Sequence, residues 1–153
     1  ERMTFKLNIV WFDEEKEVLL SDDFKFISKL NSHLDKYKKY DQQNKLGFTS
    51  LSFLFWDYEN SAIYSGDIGS ENDLYLFNEK VDWFITETTH IKSENIISLL
   101  DKLDPKKIIL THIGDDFEKP LNDFYQSLSE NLKSRIISAF DGFELDQHNS
   151  RCL

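Results

Sequence analysis

Apolar residues at Phe5, Leu7, Ile9 and Trp11 alternate with Lys6, Asn8 and Val10, the two-residue period of a strand with one buried face, until the acidic stretch Asp13 to Glu17 breaks it. Val18 to Leu20 and Phe24 to Ile27 read as further short strands. Between Asn31 and Asn44 the chain is polar with few apolar anchors, so residues 31–45 are expected to form a loop or a short surface helix. Phe48 to Trp56 and Ala62 to Tyr64 flank Asp57-Tyr58-Glu59-Asn60, a turn composition that predicts an antiparallel hairpin. The rhythm then changes. Val81 to Thr86 and Lys107 to Thr111 are short strands, and between them Ile96, Ile97, Leu100 and Leu103 recur at helical spacing behind a Ser93 cap. Pro120 is expected to open a second helix at its first turn, with Leu121, Phe124, Leu128 and Leu132 on one face, and Arg135 to Ala139 returns as a strand. The second half thus reads β-α-β-α-β, and no repeat or Pro/Gly linker divides the chain.

Composition narrows the class. With 153 residues, 22 of them aromatic (13 Phe, 6 Tyr, 3 Trp), the chain has the size and bulk of a single domain or half-domain. The single cysteine, Cys152, excludes an internal disulfide framework and a Cys-rich zinc ribbon, and makes a reducing, cytoplasmic setting the expectation. A net charge of −10 opposes sequence-independent capture of a phosphate backbone, so nucleic acid is disfavoured as a partner. Apolar runs stop at four residues, far short of the roughly 18 needed for a membrane span. The chain opens on Glu1-Arg2-Met3, with no initiator methionine in front and no signal-peptide pattern behind, which reads as a cut chain.

In alternating α/β chains ligands bind beyond the carboxyl ends of the strands. Here those ends are polar: Ser65-Gly66-Asp67-Ile68-Gly69-Ser70, then Glu87-Thr88-Thr89-His90, then His112-Ile113-Gly114-Asp115-Asp116, then Asp141-Gly142. Asp and His are suited to zinc, manganese or iron, and glycines beside them let the backbone turn sharply near an ion. Taken singly, each has a plainer reading: Asp67 as a helix cap or turn residue, His112 as a hydrogen-bonded structural histidine, His90 and Asp141 as loop residues, Glu87 as a solvated acid or the partner of a neighbouring histidine. Their succession at four strand ends is what points to a metal. A nucleotide-binding domain would need a Gly-rich phosphate loop; GDIGS is too short and places a carboxylate where phosphate would be repelled.

The runs IYSGDIGSENDL, VDWFITETTH, KKIILTHIGDD and RIISAFDGFEL resemble the C-terminal half of a metallo-β-lactamase-fold hydrolase of the ribonuclease Z-like or general metal-dependent hydrolase branch, over roughly Phe48 to Leu145. The resemblance implies an α/β fold, half of an αββα sandwich with a mixed sheet and helices on its outer face. It implies zinc, one or two ions in the complete protein, with Asp67 bridging them, His112 on the second ion, and His33 as the upstream candidate ligand. Glu87 and His90 fall in a loop bordering the active site, where they would steer substrate or protons; Asp141 would lie near the site without being a ligand, and His148 reads as a tail residue. The implied reaction is hydrolysis of an ester, lactone or phosphodiester by metal-activated water. The family's HxHxDH signature is absent from the chain, so ligands are expected to come from a missing N-terminal half, and the chain alone should bind zinc weakly. Without that half a sheet face would be left open, favouring retention of the other half or self-association. A non-catalytic interaction domain that keeps the fold without the metal would show the same sequence.

Overall fold

The computed structural model describes residues 9–41, 43 and 45–144. Cys152, His148 and the first part of the proposed Phe5–Trp11 strand lie outside them. One seven-stranded mixed sheet organises the chain: β1 (Val18–Leu19), β2 (Lys25–Leu30), β3 (Leu51–Trp56), β4 (Ser61–Tyr64), β5 (Trp83–Glu87), β6 (Lys107–Thr111) and β7 (Ile136–Ser138) lie side by side in chain order. β1 to β4 run antiparallel to one another, and β4 to β7 run parallel. The change of direction follows from the connections, since a short turn joins β3 to β4 whereas helical crossovers follow β5 and β6. In the β3–β4 turn Asp57 accepts the amides of Glu59 and Asn60, both at 2.7 Å, which fixes the expected hairpin.

Register defines the two faces. Ile27, Leu54, Ile63, Phe84, Ile108 and Ile136 lie opposite one another from β2 to β7. The core forms on this side, where Ile63, Phe84, Ile108 and Ile136 pack with Leu74, Phe77 and the inward residues Ile96, Leu99, Leu100 and Leu103 of α2 (Ser93–Leu103). Leu121, Phe124 and Tyr125 of α3 (Asp115–Ser127) close the far end. The opposite face carries Phe53, Tyr64, Ile85, Ile109 and Ile137 in one row and Phe26, Phe55, Ala62 and Trp83 in the next. None of these residues joins the buried cluster, and Phe53, Phe55, Trp83, Ile85 and Ile137 stay partly exposed among the described residues.

Several boundaries differ from the sequence expectation. Ile9 to Trp11 form no strand, and Trp11 is 91% exposed; a period-two pattern needs a neighbouring strand, and β1 is a two-residue edge piece. Only Phe12 finds a partner, edge-on to Phe26 at 5.2 Å. α2 is capped by Lys92, with Ser93 already its first helical residue, because the Asn95 side chain accepts the Lys92 amide at 2.7 Å. α3 begins at Asp115 and carries Pro120 inside it. The proline therefore costs one intrahelical bond instead of opening the helix. The polar 31–45 stretch does contain a four-residue surface helix, α1 (Asp35–Lys38), with no buried residue, yet the residues just before it reach the site described next.

Candidate functional site

The carboxyl ends of β4, β5 and β6 lie side by side because these strands are parallel and in register, Tyr64 with Ile85 and Glu87 with Thr111. Each is followed directly by one of the polar loops. Between β4 and the 3₁₀ turn Glu71–Tyr75, the 65–70 loop presses against β3 and the 31–33 segment. Gly66 adopts φ +61, where a Cβ would meet the Leu51 carbonyl at 2.9 Å, and a Cβ on Gly69 would meet the Ser32 carbonyl at 2.4 Å. Backbone packs on backbone at both positions, which only glycine permits. Ser50 Oγ donates to the Asp67 carbonyl at 3.3 Å and Asn31 Nδ2 to the Ser65 carbonyl at 3.2 Å, so the loop is held along its length.

This loop aims Asp67 at His112. Asp67 Oδ1 and His112 Nδ1 are 3.0 Å apart, with side chains 45% and 54% exposed. His112 reaches it from a left-handed backbone, φ 49, an uncommon conformation for a residue with a Cβ and one that concentrates at functional loops. With Nδ1 turned to the carboxylate, Nε2 is the nitrogen left for a ligand.

A second pair lies beside the first. Glu87, only 2% exposed, accepts from the Ile68 amide at 3.3 Å, from the His90 amide at 2.9 Å and from His90 Nδ1 at 2.7 Å; Thr89 contributes a further short hydroxyl contact. Burial on its own would raise the Glu87 carboxyl, but the hydrogen bonds from Thr89, His90 and Ile68 together outweigh it and hold the group below its ordinary value. Its acceptor positions are filled by this loop, which matches a group that orients His90. His33 packs edge-on against His90, ring centroids 5.3 Å apart, and its Nδ1 faces the Ile68 carbonyl at 3.3 Å. Thus Asp67 and Ile68 connect directly to His112, Glu87 and His33.

The structure brings Asp67 to His112, Glu87 to His90 and His90 to His33. It does not gather them into one donor set: among the described residues no group of three or more His, Cys, Asp and Glu side chains stands close enough to hold an ion. The donor types suit zinc, but a catalytic zinc needs three protein ligands, and the Asp67–His112 pair alone falls short. Asp141 sits in an exposed turn and lines, with His112, an open groove of about 1430 Å³ along β7. Sequence reasoning missed Asp73. The residue is 8% exposed and its Oδ2 accepts from Ser32 N and Oγ, Gly69 N and Ser70 N at 3.2, 2.7, 2.9 and 3.2 Å. The Ser70-x-x-Asp73 spacing of a capping box was the available signal, though only for the contacts within its own turn.

No family model and no curated protein matches the chain. Solved structures do. An isothiocyanate hydrolase from Delia radicum gut bacteria superposes with a TM-score of 0.66 at 16% identity, over 90% of this chain and 59% of that one. The metallo-β-lactamase fold protein YhfI from Bacillus subtilis gives 0.61 at 16% identity, over 88% and 54%. A Thermotoga maritima protein assigned as a Zn-dependent hydrolase of the metallo-β-lactamase superfamily gives 0.54 at 17% identity, over 83% and 70%. At these identities the likeness establishes the fold: a mixed α/β sheet with helices, of the metallo-β-lactamase type. The chain spans 59% of the first of these proteins and 54% of the second. No helix among the described residues is long and apolar enough to cross a membrane.

Proposed function

We propose that this chain supplies the Asp67/His112 side of a metal-dependent hydrolase of the metallo-β-lactamase superfamily, with the remaining ligands coming from polypeptide outside the described residues. The observation that carries the reading is the meeting of Asp67 and His112 at 3.0 Å across two strand-end loops 45 residues apart in sequence. An ion held there supplies Lewis acidity and an activated water. This chain's own contributions are to fix the His112 ring through Asp67, to fix His90 through buried Glu87, and to hold the 65–70 loop that carries Asp67 against β3 and the 31–33 segment. Zinc is the ion the donor types favour, and a cytoplasmic setting is part of the same reading. The net charge of −10 favours a small or cyclic phosphodiester, a lactone or another small ester over RNA.

The open sheet face fits the same proposal. Its two rows of aromatic and β-branched residues would be covered by the rest of a two-layer sandwich, either a missing N-terminal half or a second copy of this chain. The test is turnover of a chromogenic phosphodiester and of a lactone by the zinc-loaded protein that includes the complementary half. Asp67→Ala and His112→Ala are each expected to lower kcat at least about a hundredfold while leaving the circular dichroism spectrum intact. Unchanged turnover in either variant would overturn the assignment. A second reading, an interaction domain that keeps the fold without catalysis, is favoured by the lack of a three-residue donor set among the described residues; activity against neither substrate class, with a stable complex through the sheet face, would select it.

A further inference from the structure

We infer that Asp73 is a positioning residue for the site, coupling the segment that carries His33 to the loop that carries Asp67. The inference rests on the site proposed above, but its test does not depend on catalysis. A capping carboxylate needs only its own turn, and the amide of Ser70 provides that contact. Asp73 does more. The same Oδ2 takes the Ser32 amide and hydroxyl, 41 residues away in sequence, and the Gly69 amide two residues beyond Asp67. Ser32 directly precedes His33, whose ring returns to the Ile68 carbonyl. Asn31 Nδ2 on the Ser65 carbonyl holds the start of the contact, and Asp73 and His33 join the two segments further along, at the place where Gly69 lets their backbones approach within a contact no side chain tolerates. A buried aspartate whose single Oδ2 holds donors from both segments fixes their separation, and with it the distance from His33 to Asp67.

The test is two-dimensional ¹⁵N–¹H NMR of the imidazole rings in the 153-residue chain at about pH 8, above the ordinary imidazole value near 6.5, so that tautomers and not charge are read. In the unmodified chain His33 should show one tautomer, protonated on Nδ1. Asp73→Asn places an NH₂ group or a weaker oxygen among these donors, and the His33 ring nitrogens are expected to move toward the averaged positions of mixed tautomers, with the methyl signals of Ile63, Ile108 and Leu110 unmoved. Ser32→Ala removes one cross-segment donor, leaves the Ser70 cap in place, and is expected to give a smaller shift in the same direction; it keeps the test open should Asp73→Asn fail to fold. If Ser32→Ala, and Asp73→Asn where folded, lower Tm but leave the His33 pattern as in the unmodified chain, Asp73 is only a helix cap and the inference is wrong. Failure of the hydrolase assignment would appear as absent turnover with these ring shifts still present.

Discussion

Gly69→Ala is the sharpest perturbation of the scaffold beneath the site. The added methyl would lie 2.4 Å from the Ser32 carbonyl oxygen, 2.5 Å from its carbon and 2.6 Å from Oγ, whereas ordinary contact begins near 3.4 Å. The 31–33 segment must therefore retreat by about 1 Å, because the obstructing atoms include backbone. That retreat breaks or weakens the Ser32 amide and hydroxyl bonds to Asp73, now 3.2 and 2.7 Å. Two hydrogen bonds to an ionised carboxylate are worth about 1.5–3 kcal/mol each, and relaxation recovers part of that while overpacking adds its own strain, for a net cost of about 3–5 kcal/mol. In a chain of this length the loss should lower Tm by roughly 10–15 °C in a calorimetric or circular dichroism melt. Gly142→Ala is the control: φ is +82 and nothing lies within 4 Å, so only the left-handed backbone is penalised, at about 1–2 kcal/mol. If Gly69→Ala costs no more than Gly142→Ala, the two segments are not locked together as described.

Three further outcomes are expected. Because the Glu87 carboxyl lies below the ordinary glutamate value in the folded chain, its contribution is present above that ordinary value and lost as pH falls through the folded one; stability in urea should decline over this acid range, and Glu87→Gln should flatten the decline at a cost of about 2–4 kcal/mol near neutrality. An unchanged acid slope in Glu87→Gln would count against the buried carboxylate. Phe84→Ala, at a ring with 0% exposure in the row facing the helices, should cost about 3–5 kcal/mol, whereas Phe55→Ala on the opposite face of the free chain should cost less than half as much; equal losses in denaturant titrations would mean that both faces are covered. In light scattering with mass spectrometry the chain should run above its 18.1 kDa mass or carry a second fragment, since covering about 800 Å² of apolar surface contributes on the order of 20 kcal/mol before ordering costs; a clean monomer would show that the sheet face needs no partner.

The readable parts of the fold were those in which local chemistry and tertiary demand agree. Lys107 to Thr111 is a strand in both views because its central residues Ile108, Ile109 and Leu110 are strand-favouring, apolar and buried between neighbouring parallel strands. The hairpin across Asp57 to Asn60 follows from an aspartate that can bond its own turn. Elsewhere partners absent from the sequence decide. Ile9 to Trp11 have strand periodicity and no described strand to pair with, and Pro120 sits inside α3 because the segment before it is drawn into the helix. At the site, strand-end position singled out Asp67, Glu87, His90 and His112, since parallel strands align the ends of their loops. Asp73 was hidden for the opposite reason: its chemistry lies in contacts to Ser32, across the fold, and composition near Asp73 reports only a cap.

Zinc titration of the chain by equilibrium dialysis, alongside Asp67→Ala and His112→Ala, tests the central claim most directly. Closed structural sites hold zinc with about 10–16 kcal/mol, so two ligands alone should give a Kd on the order of 10–100 µM or weaker. The account predicts weak uptake by the unmodified chain that disappears in both variants. Tight one-to-one binding would contradict it by showing a complete donor set within this chain, and uptake that survives both substitutions would show that Asp67 and His112 are not where the metal goes.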